Sequence, residues 1–184
     1  MGCGCGKKNG AAAPLMPDTD QLVDPLQWGP ILWRYLHCLS EKVGTSGNKI
    51  LDTDQANYME TLINMLPVII PCLDCQAHAA TYLAANPLPM LRGLYGSELQ
   101  STVRNWVFLF HNAVRVQKNQ PILIPTVEIC AESYAGCTLP KCDYTSFIQS
   151  VAAAVRKGWV KIENWRKWYS NSERLRIIAG NVVL

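Results

Sequence analysis

No apolar run in this chain is long enough to cross a bilayer, which excludes a spanning helix. Charge of one sign is also scarce. A formal net charge of +3 over 184 residues is too small to predict nucleic-acid binding. The first residues, Met1-Gly2-Cys3-Gly4-Cys5-Gly6-Lys7-Lys8, contain no apolar stretch and no arginine, which argues against a secretory signal and a mitochondrial presequence. A cytoplasmic setting is therefore expected, and there stable disulfides are rare. No stretch alternates apolar and polar residues over a strand's length, and no internal repeat is present. Histidine occurs only three times, at His37, His78 and His111, each time close to tryptophan, cysteine or asparagine.

Half the chain, 49%, is hydrophobic, enough for one well-buried core. Residues 1–20 are rich in glycine, alanine and proline and read as a flexible tail. Asp24-Pro25 starts a helix that Gly44 stops. Asp52 with Gln55 starts a second, reaching Pro67 or Pro71. A third runs from near Cys72 to just before Asn86-Pro87. Ser97 with Gln100 forms a capping box for a fourth, which continues to about Lys118. Pro125-Thr126 opens a shorter helix, and Asp143 starts another that ends at Gly158. The basic, aromatic stretch from Trp159 onward has no clear pattern. The expected fold is all-α: a four-helix bundle with a short fifth helix and a helical C-terminal extension. The expected division is a tail (1–20), a main domain (21–140) and the extension (141–184).

The densest chemistry lies in Pro71-Cys72-Leu73-Asp74-Cys75-Gln76-Ala77-His78. A cysteine at a helix start meets free amides and the positive end of the helix dipole, which favour its thiolate. The second cysteine of C-x-x-C lies one turn in, close enough to close a disulfide, and the thiolate is the attacking species in exchange. Zinc is the competing reading: Cys72, Cys75 and His78 are ligand types, and Cys130, Cys137 or Cys142 offers a fourth. A thioredoxin-like site needs a βαβ context that is missing here. Trp28, Trp33 and His37, and equally Trp106, Phe110 and His111, also fit a packed aromatic helix face when taken alone.

Taken together and in order, these motifs resemble the Erv/ALR family of FAD-linked sulfhydryl oxidases. The resemblance covers about residues 26–121. Trp28-Gly29, Trp33 and Leu36-His37 match the family's first helix. Ile70-Pro71-Cys72-Leu73-Asp74-Cys75 with His78 matches its dithiol, and Trp106 with His111-Asn112-Ala113-Val114 matches its last motif. The Trp-Gly-Pro form is similar to that of viral members, which would place the protein in host cytoplasm or a virion. The resemblance implies bound FAD and a homodimer. It assigns exchange with substrate dithiols to Cys72 and contact with the flavin to Cys75. Gly29, Trp33, His37, Cys75, His78, Trp106, His111 and Asn112 would form the cofactor site, with Arg115 and Lys118 near the phosphates. Protein dithiols would be the substrates and molecular oxygen the electron acceptor, and no metal and no nucleic acid are implied. A zinc-binding interaction module, held at a membrane, is the alternative.

The chain departs from the family pattern in two places. Arg115 stands where the family has asparagine, and Gln120 precedes Pro121 where the family tends to carry lysine; Tyr134 is a candidate late aromatic contact. Gly2, Cys3 and Cys5 fit either a lipid anchor, with Gly2 acylated and the cysteines palmitoylated, or a shuttle pair. Cys130, Cys137 and Cys142 are left as a structural or shuttle pair plus one, and Cys38 as a small buried apolar residue.

Overall fold

A computed structural model describes residues 19–180 and 183. Gly2, Cys3 and Cys5 lie outside the described residues. Within them the chain is all-helical, with nine helices and one isolated bridge, between Leu139 and Val183. The four long helices of the bundle are α2 (Pro25–Lys42), α3 (Lys49–Asn64), α5 (Leu73–Ala85) and α6 (Gly96–Gln117). Two single turns, α1 (Thr19–Leu22) and α4 (Leu66–Ile69), precede α2 and α5. The short fifth helix is α7 (Val127–Tyr134), followed by α8 (Lys141–Arg156) and α9 (Ile162–Ile178).

Several helix ends follow from local chemistry. The Asp24 carboxylate accepts from the Leu26 amide at 2.9 Å, and Pro25 fills the first position, where no amide is needed. Thr126 caps α7 through the Ile129 amide. Gly44 ends α2 at φ +76, and a Cβ there would lie 2.2 Å from the Gly96 carbonyl oxygen. Glycine thus both stops α2 and lets its end touch the start of α6.

Two expected caps turn out to be cross-links. α3 begins at Lys49, capped by the Asn48 side chain through the Ile50 amide. Asp52 is buried instead, accepting from Ser46 Oγ at 2.6 Å and from the Gly96 amide at 2.9 Å. Gln55 accepts from the Gly44 amide at 2.7 Å and donates to the Ile178 carbonyl at 3.0 Å. α6 likewise starts without a side-chain cap after Tyr95, and Gln100 donates to the Glu41 carbonyl at 2.8 Å. Buried polar groups must find partners, and these found theirs across the fold.

The basic, aromatic stretch that follows Trp159 is α9, and it lies along α3, while α8 lies along α2. Trp168 is fully buried, and its indole donates to the Leu62 carbonyl at 3.2 Å. Tyr35 of α2 shares a hydroxyl bond of 2.6 Å with Ser172 of α9, and Tyr144 of α8 joins the same oxygen at 3.2 Å. One core therefore joins α2 and α3 to α8 and α9.

Cys38 is buried, as expected, but it is not a mere apolar filler. It is disulfide-bonded to Cys137, with α-carbons 5.2 Å apart. The bond fastens α2 to the segment after α7, where Arg34 also donates to the Thr138 carbonyl at 3.0 Å. Cys130 and Cys142 are free thiols.

Candidate active site

Cys72 occupies the N-cap of α5 in an extended conformation, with Pro71 before it. Its sulfur accepts from the Cys75 amide at 3.2 Å, the helix-end interaction that favours a thiolate at this position. The two cysteines are joined, with α-carbons 5.2 Å apart. Leu73 and Asp74 are exposed beside them, so the outer face of the pair meets solvent. Gln76 donates to the carbonyls of Ile70 and Trp159, at 2.8 and 3.1 Å, fixing this turn against the segment before α9.

On the inner side, Cys75, His78 and Ala79 form one wall of a cavity of about 360 Å³. α2 supplies the facing wall through Gly29, Trp33 and Leu36, and α6 contributes Phe110, His111 and Arg115, with Lys118 nearby. Trp33 stacks on His111 with ring centroids 4.2 Å apart and planes within 7°. Gly29 is buried, yet a Cβ there would meet nothing within 4 Å. A side chain at Gly29 would project into open cavity space, so glycine clears room for a ligand to approach the backbone.

Seven of the expected site residues therefore share one cavity: Gly29, Trp33, Cys75, His78, His111, Arg115 and Lys118. His37 and Asn112 stand behind it. They line a smaller space of about 80 Å³ that shares His111, Arg115 and Tyr134 with the first. Trp106 lines neither; its indole donates to the Asn86 carbonyl at 3.1 Å and its ring meets the edge of Tyr82, pinning α5 to α6. Arg115 is held by a bond of 2.7 Å from Nε to the Pro121 carbonyl, which directs the guanidinium without consuming its terminal NH₂ groups. Asn112 donates to the Ile124 carbonyl at 3.3 Å.

The histidines of α2 and α6 meet edge to edge, with His37 Nε2 and His111 Nδ1 3.0 Å apart. Burial, reinforced by the neighbouring His111, lowers the His37 pKa to about 3. Burial and then the Arg115 charge lower His111 to about 4. Both rings are neutral at pH 7. Tyr134 of α7 stacks on His37 at 4.3 Å. Cys130, one turn earlier on α7, brings its sulfur to 3.5 Å from His37 Nδ1. The sequence placed Cys130 among spare cysteines; the signal for its position was its spacing of four from Tyr134, which sets both on one helix face.

Zinc finds no site. Among the described residues no group of three or more histidine, cysteine, aspartate or glutamate side chains is arranged to hold a metal ion. The two sulfurs such a site needs are bonded to each other.

The Erv1/Alr family model matches residues 30–134. The chain is 27% identical over 140 residues to the putative FAD-linked sulfhydryl oxidase 096R of Invertebrate iridescent virus 3, covering 72% of this chain and 88% of that protein. It is 33% identical over 104 residues to an FAD-linked sulfhydryl oxidase of African swine fever virus (isolate Pig/Kenya/KEN-50/1950), covering 53% of this chain and 73% of that one. No solved structure matches the chain significantly. Helical architecture, a dithiol opening onto a cavity and a family match over more than half the sequence lead to one conclusion: the chain belongs to the Erv1/Alr family.

Proposed function

We propose that the protein is an FAD-linked sulfhydryl oxidase that forms disulfides in protein thiols. One observation carries the reading: the inner cysteine of an exchange-ready pair is itself part of the wall of the aromatic, cation-rimmed cavity. A substrate thiolate attacks Cys72, the member of the pair that does not line the cavity, forming a mixed disulfide and releasing Cys75 as a thiolate. A second substrate thiol then attacks the mixed disulfide, leaving with a new disulfide and freeing Cys72. Two electrons and two protons have moved from substrate to the pair. Bound FAD would supply the two-electron acceptor for the reduced pair and the route from it to molecular oxygen, with hydrogen peroxide as the product.

The residues fit such a group. Trp33 and Phe110 offer flat aromatic surface, Leu36 offers apolar contact, Gly29 gives clearance, His111 offers a hydrogen bond, and Arg115 and Lys118 supply charge for phosphates. His37 and Asn112 support this shell from behind, and Trp106 supports it through α5. The reading extends to two features of assembly and location. Exposed Leu109, Val116, Ile122 and Leu123 offer apolar surface for a homodimer, and acylation at Gly2 with Cys3 and Cys5 would anchor the protein to a membrane in host cytoplasm or virion. None of the helices in the described residues is long and apolar enough to cross a membrane.

A visible absorption spectrum of the purified protein, followed by oxygen uptake with a dithiol, tests the reading. A flavin spectrum and uptake that stops in Cys75→Ser are expected. A colourless protein without uptake refutes it. Light scattering separates monomer from dimer, and Gly2→Ala in cells tests the anchor: the protein is expected to leave the membrane fraction.

A further inference from the structure

The cavity reading accounts for His111 and leaves Cys130 without a task. Cys130 is fully buried and unbonded, so it can neither exchange with a client nor close a disulfide in this fold. Its sulfur lies 3.5 Å from His37 Nδ1, and His37 Nε2 lies 3.0 Å from His111 Nδ1. Three groups on three helices thus form one line, from α7 through α2 to α6.

The line has a direction. A thiol carries one hydrogen and its sulfur accepts weakly, whereas an imidazole nitrogen bearing a lone pair accepts well. Burial and the nearby Glu41 carboxylate push the Cys130 thiol up to about 11, against the opposing Arg104 charge, so the hydrogen stays on sulfur. The thiol donates to His37 Nδ1. A neutral ring then carries its proton on Nε2, which donates to His111 Nδ1, and His111 in turn carries its proton on Nε2. No protein group among the described residues bonds that nitrogen, and no buried side-chain nitrogen among them lacks a partner, so it opens to the cavity space that His111 lines.

We propose that Cys130 is a positioning residue that, through His37, holds His111 as a hydrogen-bond donor towards the cavity. Stacking keeps the rings from turning: Tyr134 covers His37 at 4.3 Å with planes within 10°, and Trp33 covers His111. Cys130 and Tyr134 come from the same face of α7, so one short helix grips His37 by edge and face. The tie between Cys38 and Cys137 holds that helix against α2. A ligand atom facing His111 must then be an acceptor. That the acceptor belongs to a flavin nucleotide rests on the function proposed above; the direction of the hydrogen-bond line does not.

The test is long-range proton–nitrogen NMR of the three histidine rings in the full chain at pH 7, with Cys130→Ser and Cys130→Val. In the native protein both His37 and His111 are expected to be protonated at Nε2 and bare at Nδ1. Cys130→Ser keeps an O–H donor and should keep both tautomers. Cys130→Val removes the donor and should give averaged ring-nitrogen shifts, together with a several-fold loss of retained flavin that serine restores. His111 protonated at Nδ1 in the native protein overturns the proposal even if neither variant folds, and so do unchanged tautomers in a folded Cys130→Val. A native chain with the expected tautomers but no flavin overturns the cavity's assignment and supports the hydrogen-bond line.

Discussion

The Cys72–Cys75 and Cys38–Cys137 disulfides both hold their α-carbons 5.2 Å apart, but one closes a step of 3 residues and the other a step of 99. In the chain-entropy model, a tie across roughly 100 residues removes about 4.7 kcal/mol of freedom from the unfolded chain, while a one-turn tie removes far less. The local pair sits at a helix N-terminus with solvent on one side and the cavity on the other. The long tie joins a fully buried Cys38 to the segment after α7. Where the chain puts these two bonds of the same chemistry is what the proposed function reads as a division between exchange and restraint.

The strongest way to break this division is to remove sulfurs one pair at a time. Cys72→Ser and Cys75→Ser should each abolish oxygen uptake with a protein dithiol and leave flavin absorbance in place. If Cys38→Ser stopped turnover as completely, the long tie would be part of the electron path and the contrast would collapse.

Gly29→Ala sharpens the contrast from the cavity side. Glycine within a helix costs about 0.5–1 kcal/mol against alanine, so the flavin-free variant should be slightly more stable than the native protein. The added Cβ enters the cavity space, so retained flavin should fall. Flavin-to-protein ratio and melting of the stripped protein measure the two opposite signs; equal flavin content in both proteins would place the ligand elsewhere.

Removing the long tie with Cys38→Ser and Cys137→Ser together should cost about 2–5 kcal/mol in urea unfolding. Activity of the folded fraction should persist. A loss well under this range would mean that the core through α8 and α9 alone holds α7 in place.

The buried rings add a pH dependence to the comparison. The folded pKa values of His37 and His111, about 3 and 4, lie below the ordinary 6.5. Below 6.5 the unfolded chain takes up protons that the folded chain does not, so stability present above that pH is lost as pH falls towards 4. The urea midpoint should drop between pH 7 and pH 4.5, and His37→Gln with His111→Gln should flatten that drop.

Six of the nine helices in the described residues, the caps at Asp24 and Thr126 and seven residues of the cavity wall were legible from spacing and motif. What was misread has a common cause. Asp52, Gln55 and Gln100 carry helix-start chemistry, and their bonds go instead to Gly96, Gly44, Ile178 and Glu41. Side chains that can cap locally can also bond at long range, and only tertiary packing decides which. Cys38 looked apolar because burial is legible in sequence and a partner 99 residues away is not. Trp106 sits within a cofactor-like motif but spends its only donor on Asn86. α9 was obscured because its inward residues, Trp165, Trp168, Ser172 and Leu175, are spaced helically among many charges.

The core that α2 and α3 share with α8 and α9 also sets an order of assembly during synthesis. When α6 leaves the ribosome, the cavity's α2, α5 and α6 walls all exist as sequence, yet Cys38 has no partner until residue 137 has been made. Leu62 and Tyr35 wait longer, for Trp168 and Ser172, and the Gln55 amide waits for Ile178. A nascent chain of this protein therefore carries Cys72 and Cys75 well before it can close its own interior. The enzyme's first opportunity for a wrong disulfide is with itself.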